Sequence, residues 1–297
     1  MSTEDSRLPS VNLRTRSPIS YLRSLGMLDW LVYLVYAGAL MFFLFPVLWV
    51  ALMSIRPEGA VLSYPVRFIP TEITFEPYRE VLTGSDIVKW LTNSIKISVL
   101  QVVGVVLVTV PSAYAFSRFD FRGKKATLFG VLLFQMISPV VIVIPMYNLM
   151  ADLNLLNTHI GIIFLYIGLQ LPFSIWLMKS YFDTVPEDLD RAARVDGCSR
   201  FQTLYHVLLP AVLPGIAVVA IFNFVFSWTE FVMAFTLLND SELYTIAVGI
   251  FSFQGQHGAN WRAIAAASMV AILPLLIMFV VLQRYFVQGL TEGAVKG

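Results

Sequence analysis

The sequence predicts an all-α integral membrane protein: six transmembrane helices, with a polar helical elbow inserted between the fourth and the fifth. Three observations lead there. Of 297 residues, 58% are hydrophobic and only 13% are charged, against roughly half and ~25% in soluble domains. The apolar residues gather in six segments, each longer than the ~20 residues a helix needs to cross a ~30 Å hydrocarbon core. Between two of them lies PEDLDRAARVDGCSRFQTLYHVLLP, Pro186 to Pro210, charged but helical in pattern.

In chain order the segments are 29–53, 92–117, 126–150, 160–182, 210–238 and 262–287. Pro46, Pro111, Pro139, Pro145, Pro172, Pro214 and Pro274 fall inside them. Membrane helices tolerate proline because neighbouring helices and polar side chains satisfy the freed carbonyls, so each reads as a kink. The first segment is too long for a secretory signal, and no small-residue cleavage site follows it. Residues 1–28 are polar and rich in Ser and Arg, the composition of a flexible tail. A six-helix transmembrane domain over 29–287 follows, then a second tail at 288–297. The loop 55–91 carries Pro57, Pro65, Pro70 and Pro77, and its FEPYREVL pattern predicts one short amphipathic helix. No short-period repeat is present.

Loop charge sets the expected orientation. With the N-terminus inside, the inner regions hold fourteen Lys and Arg residues and the outer regions five, Arg56, Arg67, Arg79, Lys89 and Arg262, with Lys96 inside a span. Both termini and the elbow are therefore expected in the cytoplasm of a multi-pass protein of the cell (inner) membrane.

Composition also excludes classes. A net charge of +1 gives no footprint for nucleic acid. Cys198 is the single cysteine, and His159, His206 and His257 lack ligand spacing, so no metal site and no catalytic residues are assigned. No G-x-x-x-x-G-K-[ST] phosphate loop occurs; Gly123-Lys124 lacks the upstream glycine and is followed by Lys125. The chain binds no nucleotide of its own on this reading and is not an enzyme.

The elbow, residues 183–209, reads as two short helices. Thr184 with Glu187 forms one capping box, and Leu189, Ala192 and Ala193 give an i, i+3, i+4 face flat enough for close approach. Gly197 ends the helix where a left-handed cap is needed. Ser199 with Gln202 forms a second box, and its helix presents Phe201, Leu204, Tyr205 and Leu208 before Pro210. Two tandem caps around one glycine specify a shape, which a plain connector does not need. Asp190 and Glu187 beside Arg191 and Arg194 read as a solvated charged face.

RAARVDG followed by LLP resembles the EAA loop of binding-protein-dependent ABC importer permeases. The resemblance extends over NSIKISV, AYAFSRFDFRGKK, PMYNLMADLNLLNT, FSWTEF and QRYFVQGLTEGAVKG, which look like the carbohydrate branch, in particular the MalG-type subunit of the maltose/oligosaccharide group. It implies a non-catalytic permease subunit that moves a sugar inward by alternating access. The implied partners are an ABC ATPase dimer that uses ATP and Mg, a second nonidentical permease, an extracytoplasmic solute-binding protein and the lipid bilayer. It further implies that the loop docks on the ATPase through Glu187, Leu189, Asp190, Arg191, Ala192, Ala193, Asp196, Gly197, Phe201, Leu204 and Pro210. One departure stands out: Arg191 occupies the position of the triplet's glutamate, paired with Glu187 four residues before it or facing an acidic group on the partner.

Ionisable residues within spans are costly and usually functional. Glu230 is the main one, with Lys96 and Lys179 near span ends, an inventory too sparse for ion coupling. Glu230 lines a pathway or bonds between helices. Trp228, Asn223, Gln135 and Gln170 offer the aromatic faces and hydrogen bonds a neutral sugar needs, or serve as glue between helices. Two alternatives stay open: import of a sugar derivative or polyol phosphate such as glycerol 3-phosphate, and a membrane scaffold without transport.

Overall fold

In hydrocarbon a backbone must satisfy its own N–H and C=O groups, so long apolar runs fold as helices. All six segments are helical. The structure, a computed structural model, describes residues 27–57, 68, 70, 72–255 and 258–294. Most of the N-terminal tail, Arg67, His257 and Lys296 lie outside the described residues. The elements are α1 (Met27–Ser54), α2 (Glu76–Gly84), α3 (Ile87–Arg118), α4 (Lys124–Gln135), α5 (Pro139–Asp152), α6 (His159–Thr184), α7 (Glu187–Val195) and α8 (Arg200–Ala211). There follow α9 (Leu213–Thr229), α10 (Val232–Leu237), α11 (Ile246–Phe251) and α12 (Trp261–Ala294), with a two-residue hairpin, β1 (Gln254–Gly255) and β2 (Gly258–Ala259), before α12. The helix expected from FEPYREVL is α2.

Among the described residues, four helices are long and apolar enough to cross a membrane unbroken: α1, α3, α6 and α12. The segments 126–150 and 210–238 are each broken, and counting each bent pair as one span gives six. α4 and α5 meet at 99°. Ser138 is extended (ψ 134°), the conformation a following proline imposes, and Pro139 then opens a new helix. α8 and α9 meet at 79°, and α9 stops at Thr229, where Glu230 turns extended (ψ 125°). The fifth segment is therefore two helices beyond the elbow, α9 and the short α10.

The described residues divide after Trp49 into two compact units. The first contains most of α1, an apolar helix of 28 residues in all. Within the second, α3, α6 and α9 pack together. One apolar cluster joins Val105, Ala113 and Tyr114 of α3, Met178 and Phe182 of α6, and Leu204 and Leu208 of the elbow. Another joins Ile162 and Tyr166 of α6 to Met233, Ala234 and Leu237 of α10. A third sets Trp90 and Trp228 against Ala263, Ala266 and Ala267 of α12, whose small side chains let helices approach closely.

A polar seam runs down α3 at i, i+4 and i+7. Ser94 Oγ accepts from the Ile246 N–H (2.7 Å), Ser98 Oγ donates to Ser227 Oγ (3.0 Å), and Gln101 Nε2 donates to Asn223 Oδ1 (2.9 Å). Residues 241–246 are fixed to the start of α3 in the same way. Trp90 Nε1 donates to the Ser241 carbonyl and Asn93 Nδ2 to those of Glu242 and Tyr244. Gly249 sits against the Trp90 ring, which a Cβ would overlap.

Candidate functional site

The elbow is built around a left-handed glycine. Gly197 has φ +87°, its N–H bonds the Arg194 carbonyl (3.1 Å), and the Cys198 N–H bonds that of Ala193 (2.9 Å). Those two bonds are the Schellman pattern that closes a helix C-terminus. The capping box after it is complete: Ser199 Oγ accepts from Gln202 N–H (3.3 Å), and Gln202 Oε1 accepts from Ser199 N–H (2.8 Å). Pro210 has no N–H for the His206 carbonyl, and ahead of it the helix widens into a π segment, Thr203–Leu208, with Leu209 N–H bonded to the Leu204 carbonyl.

The first capping box does not form. Thr184 is the last residue of α6, and its hydroxyl donates to the Tyr181 carbonyl; α7 begins after Pro186 with no side-chain cap. Pro186 has no N–H and forces Val185 out of helical geometry, which severs Thr184 from the helix it was to cap. The charged face is also corrected. Asp190 is buried, with its carboxylate 2.9 Å from Arg118 Nε and accepting from the Tyr114 hydroxyl at 3.4 Å. Arg118 Nη2 also donates to the Val185 carbonyl (2.7 Å), so the end of α3 clamps both the entry to α7 and its middle.

The two expected apolar faces separate. Ala193 is buried, while Leu189 and Ala192 are exposed. Leu204 and Leu208 are buried in the core, while Phe201 and Tyr205, rings 4.5 Å apart, are exposed. Each buried leucine contributes roughly 1.5–3 kcal/mol relative to exposure, so the inner half holds the elbow to the spans. The outer half presents Leu189, Ala192, Val195 and Phe201. Glu187, Arg191, Asp196, Gly197 and Pro210 are exposed as well. Arg191 lies 3.5 Å from Glu187 and 3.2 Å from Asp188, all three side chains largely in solvent.

The five polar or aromatic residues singled out within spans do not gather. Gln135 and Gln170 line one cavity of about 360 Å³ at the α4–α5 bend, otherwise apolar and bounded by Phe134, Phe164 and Phe226. Asn223 is fully buried with its amide filled: it accepts from Gln101 and donates to Ser174 Oγ and the Val219 carbonyl, both at 2.8 Å. Trp228 is buried and stacked on Phe224. Glu230 accepts from the Tyr166 hydroxyl (2.6 Å) and from the N–H groups of Met233 (2.8 Å) and Ala234 (3.2 Å). A carboxylate there caps α10, whose first N–H groups have no helical partner; this accounts for a charge within an apolar segment.

Sequence reasoning missed Tyr114 and Arg118. The signal was available: an arginine ending a span at the same face as a loop holding more acidic residues than surface pairing used.

Residues 105–292 match the family described as binding-protein-dependent transport system inner membrane component. The chain is 37% identical over 269 residues to the galactooligosaccharides transport system permease protein GanQ of Bacillus subtilis (strain 168), covering 89% of this chain and 94% of that one. It is 35% identical over 286 residues to the maltose/maltodextrin transport system permease protein MalG of Escherichia coli (strain K12), covering 90% and 94%. A chain of a bacterial ABC transporter involved in the import of the acidic polysaccharide alginate superposes with a TM-score of 0.75 at 26% identity, covering 88% of this chain and 99% of that one.

Proposed function

The chain belongs to the family of binding-protein-dependent transport system inner membrane components, and on that premise we propose that it is the permease subunit of an ATP-driven importer for a maltose-like oligosaccharide. The observation that carries the mechanism is the elbow: a Schellman turn and a capping box fix its shape, and the Arg118–Asp190 pair with Leu204 and Leu208 fixes it to α3, α6 and α9. A rigid lever of this kind transmits movement to the spans that a flexible loop would absorb.

On this reading the elbow and both termini face the cytoplasm, and the exposed Leu189, Ala192, Val195 and Phe201 meet a separate ATPase that uses ATP and Mg. Closure of the ATPase dimer pushes the elbow and rocks the bundle, exposing the sugar path first outward and then inward. A second permease subunit completes the path, and an extracytoplasmic binding protein delivers the sugar. On this reading Gln135 and Gln170, which line the bend cavity, meet the hydroxyls of the passing sugar. Asn223, Trp228 and Glu230 have their polar or aromatic partners within the fold and support the path.

Reconstitution tests it. Vesicles holding this chain with its co-purified ATPase and second permease should hydrolyse ATP faster when a loaded oligosaccharide-binding protein is added, and accumulate the labelled sugar. Hydrolysis that ignores every sugar-loaded binding protein would overturn the reading.

A further inference from the structure

Between the end of α3 and the two elbow helices lies a polar pocket of about 110 Å³. Four arginines line it, Arg118, Arg191, Arg194 and Arg200, against two carboxylates, Glu187 and Asp190. Two of the arginines are spoken for. Arg118 pairs with Asp190, and Arg191 with Glu187 and Asp188. The other two meet no carboxylate among the described residues. Arg194 Nε donates to the main-chain carbonyl of Asp190 at 3.3 Å, and the Arg200 guanidinium lies 4.6 Å over the Phe119 ring. Most of their N–H donors remain unused, and the fork of a guanidinium matches a carboxylate two bonds at a time. The excess of positive charge is built in, because Asp190, the acid nearest to hand, is already held by Arg118 and Tyr114.

The pocket opens beside part of the elbow's exposed apolar surface. The exposed Val195 and Phe201 directly follow the rim arginines Arg194 and Arg200 in the chain, so a partner that covers Val195 and Phe201 reaches the mouth of the pocket. The geometry points to a receptor for one acidic side chain: an aspartate or glutamate of the ATPase enters this pocket and pairs with Arg194 and Arg200. The inference rests on the elbow being the ATPase contact. It gives that contact a charge lock that sets register, where the apolar residues supply area.

The test is ATPase affinity for the reconstituted membrane complex, measured by titration at 100 and 500 mM NaCl, for the native chain, the Arg194→Gln/Arg200→Gln double variant and the Arg194→Lys/Arg200→Lys double variant. Removing both guanidinium groups should weaken binding roughly 30-fold or more at low salt. The lysine variant should recover part of the loss, which a merely misfolded elbow would not. Neutralising the acidic residues on the ATPase face one at a time should yield one substitution with the same loss and no further loss when combined with the glutamine variant. Native affinity in the glutamine variant overturns the inference. So does a loss seen in vesicles with phosphatidylglycerol that vanishes in pure phosphatidylcholine, which would assign the arginines to lipid headgroups. A native chain that holds no ATPase at all overturns the reading of the elbow instead.

Discussion

Replacing Asp190 by alanine should loosen the elbow far more than replacing any exposed acid beside it. The Asp190 and Arg118 side chains are 11% and 7% exposed, 2.9 Å apart. Loss of one member of such a pair strands the other away from water, at a cost of ~3–5 kcal/mol. The Arg118 bond to the Val185 carbonyl lets the arginine keep one partner, which argues for the lower end, ~3 kcal/mol. A shift of that size raises the fraction of open elbow by roughly a hundredfold. Tryptic cleavage after Arg194 or Arg200 reports it, because a helical bond is cut only when the segment opens and the rate follows the open population when reclosing is fast. Asp190→Ala in detergent should be cleaved there tens to hundreds of times faster than the native chain, and Asp188→Ala nearly as slowly as the native chain, since Asp188 lies on the exposed side. The double variant Arg118→Met/Asp190→Leu should regain much of the resistance, since a buried pair replaced by apolar residues of similar size is often neutral. Equal cleavage of Asp190→Ala and native protein would refute the clamp.

Three further outcomes follow from the same structure. Gly197→Val should lose ~1–3 kcal/mol to backbone strain alone, because nothing lies within 4 Å of where the Cβ would go; transport activity should fall with membrane insertion intact, and Gly197→Asn should be milder, which sugar uptake measures. Cys198 should resist a membrane-impermeant thiol reagent added to intact cells and react in inverted vesicles until the ATPase is bound; labelling from outside would reverse the orientation. Asn223→Ala should lower the thermal stability of the purified protein by ~1–3 kcal/mol, since it leaves the Gln101 amide without its buried partner, while Gln135→Ala, at an exposed position, should leave stability unchanged and alter only uptake.

What the sequence determined by itself was everything set by composition or by residues close along the chain. Six apolar stretches had to be helices, because hydrocarbon offers the backbone no other partner. Gly197 and the Ser199–Gln202 box are contacts within five residues, so the pattern predicts them and the structure has them. The Thr184 box was as local, but Pro186 inside it cut the helix, a conflict between two local rules that only coordinates resolve. Which polar groups turn inward was beyond local pattern. Asp190 meets Arg118 at a separation of 72 residues and Asn223 meets Gln101 at 122. Helical spacing tells which residues share a face; only the packing of α3 against α6, α8 and α9 decides which face is buried. The bends at Ser138 and Val212 and the break at Glu230 have the same origin. Proline makes a break easy at the first two, but the 99° and 79° angles come from what each half-helix packs against, and Glu230 ends α9 because Tyr166 and the start of α10 meet its carboxylate.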